Sequence, residues 1–225
     1  MTLAEMRDMV RSLTLVEDVN VPDADINMLI NQGLHEVSVT FPWPWLEALV
    51  NLSFVKDVPW ADLPSNFDFA ISLWDNEKKV EVAPVSAKVF FDNFSGTSED
   101  QGSSPSVWTI FDNKIYVHPT PNDDMNDRLA LAYYSGVSEL AFDSDEPPFH
   151  KGFHMILVEY AKWKLWEREE YFEQSERALL SYSRYLDNMR SWYANPGKRI
   201  PFLWGDGLLR GNRGRHSHLP ILDEI

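Results

Sequence analysis

His150 and His154 stand four residues apart, a spacing that on a helix can bring two imidazoles to one metal ion. The metalloprotease arrangement needs a glutamate directly after the first histidine, and Lys151 occupies that position. Glu159, five residues further on, turns away from both, so the pair reads as polar residues at a helix start and no metal is expected. His216 and His218 share a side only in extended chain. A second set is acidic: Glu167, Glu169, Glu170, Glu173 and Glu176, with Asp123 and Asp124 elsewhere. Glycoside hydrolysis needs two carboxylates in a cleft, one with a raised pKa. Interleaved with Lys and Arg, the glutamate run reads instead as a solvated helical face. No nucleophile elbow, phosphate-binding loop or dinucleotide fingerprint occurs. Cysteine is absent, which excludes thiolate catalysis, disulfides and cysteine-ligated zinc. No catalytic residue and no cofactor is expected.

The elements that would position these groups begin with the stretch from Pro147 to Asn195. Phe153, Ile156, Leu157, Tyr160, Ala161 and Leu165 recur at steps of three and four, and so do Tyr171, Phe172, Leu179, Tyr182, Leu186, Met189 and Tyr193. Pro147 and Pro148 mark a helix start behind Asp143, Asp145 and Glu146, and Asn195-Pro196-Gly197 marks a stop. Two helices hinged near residues 167–171 suit this length better than one rod. At the other end, Thr2 and Glu5 form a capping box ahead of Leu3, Met6, Val10 and Leu13. A second helix follows Pro22-Asp23, with its stripe on Ile26, Leu29, Ile30, Gly33, Leu34 and Val37. Gly33 on that stripe predicts close contact with another helix.

Phe41-Pro42-Trp43-Pro44-Trp45 ends the helical part. Trp43 and Trp45 read as an aromatic plug over the core or as a surface for a partner or neighbouring copy. Beyond them the period shifts toward two, with strands expected at 48–55, 67–74, 79–84, 107–111, 114–118 and 129–134. Phe111-Asp112-Asn113-Lys114 is the clearest hairpin turn. Residues 91–106, rich in Gly and Ser, read as a polar loop with a role in function or assembly.

The expected fold class is therefore α+β and mainly helical. Helix pairs at 1–45 and 141–196 would form a four-helix body, with an antiparallel β region (46–140) inserted and an extended tail at 197–225. The formal charge is −15 over 225 residues, and residues 1–196 carry −17 of it, so the tail is a mildly basic appendage. Such acidity argues against gripping nucleic acid. No apolar run reaches 18 residues, the N-terminus does not read as a signal peptide, and a cytoplasmic protein is the default expectation, with no membrane contact. The tail lacks periodicity yet holds Pro201, Phe202, Leu203, Trp204, Leu208 and Leu209 between Arg199 and Arg210, the composition of a peptide that orders on a partner.

In order, the helix pair, the FPWPW exit, the block PSVWTIFDNKIYVHPTP, the strand RLALAYYSGVSEL, an acidic proline linker and the helix FHMILVEYAKWKLWEREE resemble the head-to-tail adaptors of tailed bacteriophages. That resemblance implies a virion protein of the head–tail junction, assembled in the host cytoplasm. It implies a homo-oligomeric ring, usually a dodecamer, beneath the portal protein. It also implies a downstream tail or nozzle protein as partner, and DNA passing through without sequence-specific binding. The role implied is to extend the channel, help retain packaged DNA and offer the tail a platform. The tail from Arg199 to Arg210 becomes the candidate portal-docking peptide, and Glu167, Glu169, Glu170 and Glu173 the candidate acids facing the lumen or a neighbour. Two other readings stay open: another virion module of the tail-terminator kind, or a cell-wall hydrolase using paired carboxylates.

Overall fold

The computed structural model describes residues 1–15, 21–94 and 101–194. Helix α1 (Leu3–Thr14) starts on the expected capping box: Glu5 N–H donates to Thr2 Oγ1 at 3.3 Å, and Thr2 N–H donates to Glu5 Oε2 at 2.9 Å. Leu3, Met6 and Val10 form its buried face. Helix α2 (Asp23–Val39) buries Ile26, Leu29, Ile30, Gly33, Leu34 and Val37, the stripe read from the sequence. After a single 3-10 turn at Pro44–Leu46 the chain enters strands β1 (Glu47–Phe54), β2 (Trp60–Asp62), β3 (Phe67–Asp75) and β4 (Val80–Pro84). A short helix α3 (Ala87–Asn93) follows, capped by Ser86. Strands β5 (Gln101–Gly102), β6 (Val107–Phe111), β7 (Lys114–His118), β8 (Thr120–Pro121) and β9 (Met125–Ser135) complete the β region. Helices α4 (Met155–Arg168) and α5 (Phe172–Ala194) close the described chain.

The expectation of a mainly helical four-helix body does not hold. Nine strands accompany five α-helices among the described residues. Seven strands join in one sheet, ordered β1-β9-β3-β4-β6-β7-β2. This sheet has its own hydrophobic core, in which Phe54, Leu73, Ile115, Val117, Leu129 and Leu131 are buried. The four long helices share a separate core that includes Met6, Ile30, Leu34, Ile156, Leu157 and Met189. Nor is the β region purely antiparallel, because Ala83 and Pro84 pair in parallel with Val107 and Trp108, and β5 runs parallel to β8. The physical reason is pairing at long range. Strand β9 sits between β1 and β3, with Leu49 opposite Ala132 on one side and Ser72 opposite it on the other. Alternation reveals single strands, but not which distant strand each will pair with.

Local signals fared better than global ones. The β6–β7 turn places both Asp112 and Asn113 at positive φ, 50° and 56°, the backbone a two-residue hairpin of this twist demands. The hinge in the long helical stretch falls at residues 169–171, where Glu170 adopts φ 61°. Two readings need correcting here. Pro147 and Pro148 do not begin the helix; α4 starts at Met155 after a 3-10 turn at Lys151–Phe153. The acidic linker serves α1 instead, since the Asp145 and Asp143 carbonyls accept from the Leu3 and Ala4 N–H groups at 2.8 and 3.2 Å. Residues 91–106 are also not one loop, because 91–93 end α3 and 101–102 form β5.

Candidate functional surfaces

The paired histidines are structural. His154 is fully buried where α4 begins, and its Nε2 lies 3.0 Å from the Phe149 carbonyl oxygen, which can only accept. Its Nδ1 lies 2.8 Å from the Met1 amine and 3.1 Å from the Met1 carbonyl oxygen, so both ring nitrogens are engaged within the fold. Burial pushes the His154 pKa below its ordinary value. His150 faces elsewhere, with Nδ1 accepting from the Gly152 N–H at 3.1 Å. Glu159 is buried too, with both carboxylate oxygens 2.9 Å from Lys162 Nζ. Among the described residues, no group of three or more His, Asp or Glu side chains is arranged to hold a metal ion.

The glutamates gather on the corner between α4 and α5. Glu167, Glu169, Glu170 and Glu173 are all exposed. Glu167 pairs with Lys164, Glu169 with Arg168, and Glu173 with Arg177. Such solvated pairs contribute little to stability. Tyr171 and Phe172, expected on the buried stripe, lie exposed on the same corner, because the break at Glu170 rotates the first turn of α5 outward.

Trp43 and Trp45 take different places. Trp43 is fully buried, donates from Nε1 to the Val37 carbonyl at 2.6 Å, and packs edge-on against Tyr193 with centroids 5.5 Å apart. It ties the end of α2 to the end of α5 and has no surface left for a partner, so the plug reading applies to it. Trp45 stacks on Trp43 and keeps part of its surface at a cleft lined by Asn66, Ser138, Glu139, Asp145 and Glu146. The candidate docking residues Arg199, Pro201, Phe202, Leu203, Trp204, Leu208, Leu209 and Arg210 lie outside the described residues.

Sequence reasoning did not find one heavily bonded polar group. Asp75, fully buried at the end of β3, accepts from Arg128 Nε at 3.0 Å and Nη2 at 2.6 Å. It also accepts from Ser104 Oγ at 2.5 Å and from the N–H groups of Glu77 and Lys78. Burial alone would raise its pKa, but the bonds from Arg128, Ser104 and the Lys78 backbone outweigh it and hold the carboxyl well below the usual range. Arg128 also reaches Glu77 at 2.6 Å. An Asp before a turn and an Arg fifty-three residues later carry no motif. The one local hint was Asp75-Asn76-Glu77 as a turn start.

The described residues form a protein with two hydrophobic cores, one helical and one in the sheet. A sequence model of the SU10 adaptor protein family matches residues 1–199, and the chain belongs to that family. It is thus a phage adaptor with a structural role, in agreement with the resemblance read from the sequence. No curated protein matches it. No described helix is long and apolar enough to cross a membrane.

Proposed function

We propose that this adaptor forms a ring beneath the portal protein, extends the DNA channel, helps retain packaged DNA and carries the tail. The family match over residues 1–199 is the observation that carries the reading. A charge of −15 per copy supports it, because a strongly acidic lumen repels phosphate and lets DNA slide. Glu167, Glu169, Glu170 and Glu173, exposed on one corner, are the acids proposed to face that lumen or a neighbouring copy. The basic, aromatic segment Arg199–Arg210 docks on the portal, where Trp204 and the arginines have the chemistry of interface anchors. The role is non-catalytic, and the protein enters the virion from assembly in the host cytoplasm.

Electron microscopy of the full chain incubated with the portal of the same phage tests the reading. A ring coaxial with the portal, usually of twelve copies, is the expected result. Particles in which the portal stays bare overturn it.

A further inference from the structure

The two hydrophobic cores are joined narrowly. Among the described residues, none from α1, α2, α4 or α5 belongs to the sheet core, and the one strand residue packed on the helical core is Tyr134. The chain crosses between the cores twice. At the first crossing Leu46 is buried in the helical core, and the next residue, Glu47, already pairs with Tyr134 in the sheet. At the second, Ser135 ends β9, and Leu140 is fixed to α2 by Asn31, which donates to its carbonyl at 3.1 Å and accepts from its N–H at 2.8 Å. Between these two points Gly136, Ser138 and Glu139 are exposed. One crossing is thus a single peptide bond, and the other has slack. Ser135 Oγ ties them together by donating to the Leu46 carbonyl at 3.1 Å.

Open clefts flank this junction on both sides. Successive strand residues point to opposite faces, and Ser135 lines one cleft while Tyr134 lines the other. Leu46 lines both. The first cleft, of about 420 Å³, is lined by Asn66 from the sheet side and by Glu139 and Glu146. The second, of about 320 Å³, is lined by Phe69 on β3 and by Val39, Phe41 and Pro42 at the end of α2. A rigid junction fills such gaps with side chains. Small interfaces within one chain ordinarily permit relative motion, and here there is room for it on either side.

The clefts differ in what closure does. Val39 is 62% exposed and Phe69 64%, so closing the second cleft removes apolar surface from water. Closing the first would desolvate carboxylates. Opening the first also relieves Trp45, which lines it and whose buried Nε1 meets no acceptor among the described residues. We propose that the sheet rocks on the helices about the Leu46–Glu47 crossing, closing the Val39–Phe69 cleft as the Glu139–Glu146 cleft opens. Residues 136–139 absorb the change in backbone angles, as hinge residues do. Each core keeps its packing, so helices and sheet can adjust to different partners during assembly.

The absence of native cysteine allows a distance test on the full-length chain. Spin labels are placed in pairs at exposed positions: Met28→Cys with Leu180→Cys within the helices, Leu49→Cys with Val80→Cys within the sheet, and Leu180→Cys with Val80→Cys across the junction. Labelled chain is diluted into excess unlabelled chain, so that pulsed electron spin resonance reads distances within one copy. The expected result is a distance distribution across the junction about twice as wide as either control. In a separate variant, Val39→Cys with Phe69→Cys should form a disulfide within one chain under mild oxidation, because closure brings the two positions together. A cross-junction distribution no wider than the controls overturns the rocking, whatever the disulfide does. A broad distribution with no disulfide between positions 39 and 69 overturns the direction of closure. Neither readout involves the portal, so either failure leaves the ring reading standing.

Discussion

Arg128 grips the buried carboxylate of Asp75 side-on, with Nε on Oδ1 at 3.0 Å and Nη2 on Oδ2 at 2.6 Å, and so clamps the end of β3 to the start of β9. The two residues lie fifty-three positions apart in sequence, on strands adjacent in the sheet. A paired group of this kind contributes little against an apolar replacement, yet removing one partner strands the other.

Asp75→Ala should therefore cost about 3–5 kcal/mol of unfolding free energy at neutral pH. The pH dependence has a definite sign. Because the folded-state pKa of Asp75 is depressed, its contribution is complete above the ordinary carboxylate pKa of about 4 and declines as pH falls below that value toward the depressed one. Urea titrations of the wild type and Asp75→Asn should show a gap that is constant from pH 7 to 5 and narrows below pH 4.

At Gly33 an added Cβ would lie 2.8 Å from Tyr160 Cδ1 and 3.1 Å from its Cβ. Those atoms belong to the root of a buried ring that cannot swing aside. Gly33→Ala should lower stability by about 1–3 kcal/mol, although alanine is the better helix former by about 1 kcal/mol. Thermal unfolding of Gly33→Ala beside Gly33→Ala with Tyr160→Leu checks the cause, since the second change should restore part of the loss.

Glu170 holds φ 61° at the α4–α5 corner, a conformation that costs a residue with a Cβ about 1 kcal/mol. Glu170→Gly should be neutral or stabilising by up to about 1 kcal/mol. Glu167→Gly, inside the last turn of α4, should destabilise by about 1 kcal/mol. Parallel denaturation curves settle the contrast.

Truncation after Ala194 removes the proposed docking segment. The melting temperature should stay within a few degrees of the full chain, because among the described residues both hydrophobic cores are built from positions up to Tyr193. Portal binding should fall at least a hundredfold, the scale of losing two anchor residues from an interface. A truncated chain that binds the portal as the full chain does would remove the docking role from residues 199–210.

What the sequence determined by itself was local. Thr2 and Glu5 announced a cap, Asp112-Asn113 a tight turn and Gly33 a close helix approach, because each depends on atoms a few residues away or on one missing Cβ. The order of segments carried the adaptor resemblance. Only the tertiary structure decided that the β region is a seven-stranded sheet with its own core, and that Phe54, Leu73 and Leu131 meet there. It also decided that Trp43 is sealed inside, that Tyr171 and Phe172 are not, and that Asp75 finds Arg128. Periodicity says which side of an element is apolar. Which distant element covers that side, and which side stays bare as on Leu49, Phe69 and Trp74, depends on chain closure over long separations, and local spacing does not encode it.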